Sequence, residues 1–150
     1  TRTAPVSGRF SDRQREVYEV VLRAQEAAIA EIRPGVSLAQ VHLAAQRVIR
    51  EAGFGQHFLH GTSHWLGMDV HDVGSFHRTL RPGMVFTVEP GIYIAEDDET
   101  VEARWRGIGV RIEDDALVTP EGHEILTSGV PKAADEVEQA CARRPLLALS

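Results

Sequence analysis

His60-Gly61-Thr62-Ser63-His64-Trp65-Leu66-Gly67-Met68-Asp69-Val70-His71-Asp72-Val73-Gly74 divides the chain into two unlike halves. Ahead of it, apolar residues recur at helical spacing; behind it, they run in short blocks or alternate between turn residues. The stretch itself follows neither period. It holds three histidines, two aspartates and three glycines in fifteen positions. Histidine is the commonest protein metal ligand, and carboxylates beside it suit hard or borderline divalent ions. A segment of this kind is costly to a fold unless it binds or reacts with something.

Upstream, residues 1–6 read as an extended strand, with Pro5 tolerated at a strand end or edge. Ser11 with Gln14 forms a capping box, and Val17, Val20, Val21, Ala24, Ala28 and Ile32 make one apolar stripe that Pro34-Gly35 stops near Arg33. A second helix is capped by Ser37 with Gln40, carries Val41, Ala44, Ala45, Val48 and Ile49 on one face, and closes at Gly53. His42 on that helix reads as a surface or partly packed residue. Downstream, strands are expected over 84–89, 92–94, 107–113, 116–119 and 124–127, with turns at Asp114-Asp115 and at 120–123, giving a β-meander. A terminal helix is expected over 132–144. Helices followed by strands, without alternation, make the fold class α+β.

Composition narrows the function. At 150 residues one domain is expected. A net charge of −6 argues against a nucleic-acid partner. One lysine stands against fifteen scattered arginines, which makes no basic patch. The lone Cys141 excludes an internal disulfide and has nothing nearby to activate it. No apolar run has membrane-span length and no signal peptide opens the chain, so a cytoplasmic protein without membrane contact is expected.

Two glutamates stand at the inner ends of apolar runs, Glu89 after 84–88 and Glu113 after 109–112. A carboxylate there is expensive unless a cation or donor meets it. Arg111 shares a strand face with Glu113 and offers the plain explanation, an ion pair. With His64, however, the two glutamates make one imidazole and two carboxylates on three different elements, a set suited to a divalent transition metal. Asp69 and Asp72 serve equally as ligands or as groups that orient histidines. His57, His77 and His123 read as ordinary surface or loop residues, and the run Asp97-Asp98-Glu99 as a solvated loop. Zinc-hydrolase helix motifs, phosphate loops, dinucleotide fingerprints and serine elbows are absent. Metal-assisted hydrolysis is the chemistry that remains.

Three motifs in order resemble the catalytic domain of aminopeptidase P, the Xaa-Pro aminopeptidase branch of the pita-bread metallopeptidases: His60-Gly-Thr-Ser-His64-Trp-Leu-Gly-Met-Asp-Val-His71-Asp, Thr87-Val-Glu89-Pro-Gly-Ile-Tyr93, and Gly107-Ile-Gly-Val-Arg111-Ile-Glu113-Asp-Asp. The resemblance implies an α+β pita-bread fold, similar to creatinase and methionine aminopeptidase, with a curved antiparallel sheet covered by helices. It implies a site for two metal ions, commonly Mn2+, and cleavage of the bond between an N-terminal residue and a following proline. By motif position, His64, Glu89 and Glu113 match metal ligands, and Glu89 also handles protons. His60 and His71 match histidines that meet the substrate, while Tyr93 and Arg111 match positions that brace the acidic cluster.

The same resemblance sets further expectations. Two aspartate ligands of the family precede the equivalent of Thr1-Arg2-Thr3, and no residue here matches them. The chain is therefore expected to be N-terminally truncated, with residues 1–130 a partial catalytic domain and 131–150 a tail with a short helix. Three ligands cannot fix two ions, so at most one metal is expected to be well held. A homo-oligomer is expected of the full-length protein, and a peptide with proline in second position as its partner. The alternatives are a pita-bread module that binds peptides or proteins without hydrolysis, and another member of the group such as prolidase.

Overall fold

The computed structural model describes residues 1–142. Helix α1 (Asp12–Ala30) begins where Ser11 and Gln14 cap each other's backbone amides, and α2 (Leu38–Glu51) repeats the device with Ser37 and Gln40. α1 ends three residues before Arg33, its last turn tightened by bonds from Glu31 N to Ala28 O and from Ile32 N to Ile29 O. Past α2 the chain turns at Gly53, whose φ of +87° a side chain would resist. The two apolar stripes face each other, with Val17, Val21, Ala24, Val41, Ala45 and Ile49 closed to solvent.

Five short strands follow: β1 (Val85–Val88), β2 (Gly91–Tyr93), β3 (Gly109–Arg111), β4 (Asp114–Thr119) and β5 (Gly122–Ile125). They form a three-stranded sheet in the order β1-β4-β5 and a two-stranded sheet β2-β3, antiparallel throughout. The pairings share one register. Val88 stands opposite Asp114 in the first sheet, and Gly91 opposite Arg111 in the second. Ile112 N donates to Pro90 O at 3.4 Å between them. β1–β2 and β3–β4 are thus one long two-stranded ladder, interrupted where Pro90 can donate no hydrogen bond. Extending the register of β1 and β4 by one residue sets Glu89 opposite Glu113, at the interruption.

Residues 62–66 run beside β1 like an added edge. Glu89 N donates to Thr62 O at 2.7 Å, Thr87 N to His64 O at 3.0 Å, and Leu66 N to Val85 O at 3.1 Å. α1 lies across both sheets, and a final helix, α3 (Ala134–Ala142), adds Ala134 and Val137 to the same core. The expected end of that helix at Arg144 lies outside the described residues. No helix among the described residues is long and apolar enough to cross a membrane.

Four sequence-based expectations need correction. No strand forms over 1–6: Thr3 bonds both Arg111 N and Arg111 O through its hydroxyl, at 3.0 and 2.9 Å, and the chain turns where Gly8 N bonds Pro5 O. Asp114 and Asp115 make no turn but open β4. The Asp114 side chain is closed to solvent and meets Arg2 Nη2 (2.7 Å), Gln25 Nε2 (3.0 Å), Thr127 Oγ1 (2.7 Å) and Lys132 Nζ (2.8 Å). The meander reduces to the hairpin β4-β5, because β4 pairs with β1 across the intervening chain. His57 is buried on a single 3-10 turn (Gly55–His57) and faces half-buried Asp98 at 3.5 Å, and half-buried His123 bonds Ile32 O at 2.9 Å. Both histidines are packing elements; His77 is exposed.

Candidate metal centre

The ladder interruption, the added edge at 62–66 and the start of β4 converge on His64, Glu89 and Glu113. Each offers one ligand atom, and the three atoms lie within 4.8 Å of one another. Among the described residues this is the only group of three or more histidine, cysteine or acidic side chains so placed. Two donors about 2.1 Å from one ion are at most about 4.2 Å apart, so a cation draws these three together with little movement.

The hydrogen bonding tells which atoms are free. His64 Nδ1 lies 3.1 Å from the Trp65 carbonyl, which can only accept, so Nδ1 carries a proton and Nε2 is the nitrogen left for a ligand. Nε2 faces Glu89 Oε1 at 3.2 Å, and in the neutral form that binds metal it offers a lone pair there. Two acceptors at that distance need a proton or a cation between them. The cross-strand placement of Glu89 and Glu113 makes the same demand, since like charges directly opposite destabilise a sheet. The donor set therefore fits a divalent ion.

The neighbours fix these groups. Thr87 Oγ1 accepts from His64 N and donates to Glu89 Oε1, both at 3.0 Å. Arg111 Nε lies 3.9 Å from Glu89 Oε2 and has no hydrogen-bond partner of its own. Burial pushes the Glu113 carboxyl up, but hydrogen bonding from Thr1 and the Arg111 charge outweigh it, holding the group below its ordinary value. Desolvation acts the same way on Asp114, and Lys132, Arg2 and Thr127 reverse it, so its carboxyl too is held low.

His71 is exposed and lies against His64, the rings tilted by 39° with centres 4.2 Å apart. His60 Nε2 lies 2.8 Å from the Tyr93 hydroxyl, and its Nδ1 lies 2.8 Å from Gly61 O, so the ring accepts from Tyr93 and donates to Gly61. Tyr93 thus touches His60 rather than the carboxylates. Its ring also lies over Gly91, where an added Cβ would come within 2.6 Å of the hydroxyl. Asp69 is exposed, and Asp72 accepts from Val73 N at 2.7 Å; neither joins the cluster. Thr87, Thr62 and His42 went unnoticed as site residues in the sequence. Only the i, i+2 spacing of Thr87 and Glu89 on one strand face could have pointed to the first.

Comparison with known proteins places this geometry. The sequence pattern of metallopeptidase family M24 matches residues 1–120. Xaa-Pro aminopeptidase 2 of Streptomyces coelicolor is 47% identical over 95% of this chain and 36% of its own length. Aminopeptidase PepP of Pseudomonas aeruginosa superposes with a TM-score of 0.90 at 46% identity, covering 94% of this chain and 37% of that one. Zn-substituted aminopeptidase P of Escherichia coli in complex with product gives a TM-score of 0.87 at 42% identity, over 95% of this chain and 38% of its own. The chain spans about a third of the length of the curated relatives it matches.

Proposed function

This chain belongs to metallopeptidase family M24, and on that footing we propose that it carries the metal-holding part of an Xaa-Pro aminopeptidase. Its α+β pita-bread fold is the one aminopeptidase P structures share. The convergence of His64, Glu89 and Glu113 carries the reading. His64 Nε2 and one oxygen of each glutamate would hold a divalent ion, Mn2+ in the family resemblance. These three side chains suffice for one ion, and a second ion of a two-metal site needs ligands beyond them.

A bound divalent cation supplies Lewis-acid polarisation of a carbonyl and a water of lowered pKa. The residues of the chain do the rest. Glu89 has one oxygen held by Thr87 and the other turned toward Arg111. In this reading it would take the proton of the attacking water and return it to the proline nitrogen as the C–N bond breaks. Tyr93 holds His60 in the tautomer whose Nδ1–H is spent on Gly61, so the ring presents a fixed face to the substrate. His71, beside His64 and open to solvent, is available to the peptide on the other side.

Isothermal titration of the chain with Mn2+ tests the reading, with and without a Gly-Pro-Gly peptide. We expect one ion per chain, loss of binding in His64→Ala, and tighter peptide binding with proline than with alanine in second position. An absence of Mn2+ binding, or binding unchanged in His64→Ala, overturns it.

A further inference from the structure

We infer that His42, on α2 and outside the three site motifs, is a positioning residue that sets the ligand segment 60–64 against the metal-binding strands. The inference rests on the metal-site reading above and adds to it a residue that contacts no ligand.

The His42 ring is fixed on both sides, stacked on Phe58 with ring centres 5.2 Å apart and edge-on to Phe76 at 6.0 Å. Its Nδ1 lies 2.8 Å from the Thr62 hydroxyl and accepts from the Thr62 backbone N–H at 3.3 Å. An amide can only donate, so Nδ1 is unprotonated and the ring is neutral with its proton on Nε2. Burial pushes the His42 pKa down, which favours that neutral form.

Thr62 is the residue through which His42 acts. It is fully buried, and its amide and hydroxyl both turn to His42. Its carbonyl accepts from Glu89 N at 2.7 Å. One imidazole thus fixes the peptide that lies two residues from His60 and two from His64 and that bonds the backbone of Glu89. A hydrophobic side chain of similar bulk would fill the space between Phe58 and Phe76 but leave the Thr62 donors buried without an acceptor, a loss the segment relieves by shifting. Displacement of a group that orients metal ligands costs about 10–100-fold in metal affinity.

Two variants separate positioning from packing. His42→Leu keeps apolar bulk and removes the acceptor; His42→Asn restores an acceptor near the Nδ1 position. Mn2+ affinity by calorimetry and amide hydrogen exchange of Thr62 and Glu89 are the two readouts. We expect His42→Leu to lose about tenfold or more in Mn2+ affinity, with lost protection concentrated at Thr62 and Glu89, and His42→Asn to recover most of both. Variants that bind Mn2+ as the parent does, or a uniform loss of protection that Asn fails to restore, would overturn the inference. If the parent binds no Mn2+, the metal reading fails separately, and unchanged Thr62 exchange in His42→Leu still decides against the latch.

Discussion

Asp114 carries a charge into a place with no solvent, and it is tolerated because four donors close on it. Arg2 and Lys132 come from segments far apart in sequence, so one carboxylate joins the first residues, β4 and the approach to α3. Truncation to Ala leaves two cations facing an empty space. We expect Asp114→Ala to lose about 3–5 kcal/mol of stability in urea denaturation, the range for breaking a buried pair. The acid limb follows from the same contacts. The folded carboxyl is held below its ordinary 3.8, so the unfolded chain binds the proton more readily. The stabilisation is complete above the unfolded value and disappears as pH falls through the lower folded one. The variant is expected to lack that portion of the acid loss.

At the scale of elements, β1 is more than a strand that ends in a ligand. Through Thr87 it takes the His64 amide and hands a hydrogen bond to Glu89, linking two ligands by one hydroxyl. Thr87→Val keeps the shape and the β-branched preference of the strand but leaves the His64 N–H without an acceptor. Such an orphan costs about 1–3 kcal/mol, and Mn2+ affinity measured by calorimetry is expected to fall along with the melting temperature. The elements themselves were legible wherever the signal was local. Ser11 and Ser37 announced α1 and α2, and Pro90-Gly91 announced the end of β1. Legibility failed where distant residues decide. Asp114-Asp115 has turn composition, and it is pairing with Val88 and Thr87, together with Arg2, Gln25, Thr127 and Lys132 closing on the Asp114 carboxylate, that makes it a strand. Buried His57 and half-buried His123 are held by partners at Asp98 and Ile32 that no spacing reveals. His64, Glu89 and Glu113 were legible as a set because each sits at an abrupt change of pattern, whereas His42 sits inside an ordinary amphipathic helix.

For the molecule as a whole, the long two-stranded ladder brings two acidic groups face to face at its interruption, and the added edge brings an imidazole beside them. A cation bound there ties three segments of the chain at once, and it binds the folded state alone. Ligand present at about 100 times its dissociation constant adds about 2.7 kcal/mol. For a chain of this size that is a rise of roughly 5–10 °C in melting temperature. Scanning calorimetry with Mn2+ is expected to show it, and His64→Ala to melt at the same temperature with and without the ion.

Lys132 is the single lysine of the chain, and its Nζ is engaged by Asp114 and Gln25. Every reagent or modifying enzyme that seeks a lysine amine is thereby directed to one strut of the fold. Acylation there would remove the charge that holds Asp114 and would proceed only as that contact opens. The side-chain chemistry most often used to decorate a protein surface would, in this chain, act as a gauge of how often the contact between Lys132 and Asp114 opens.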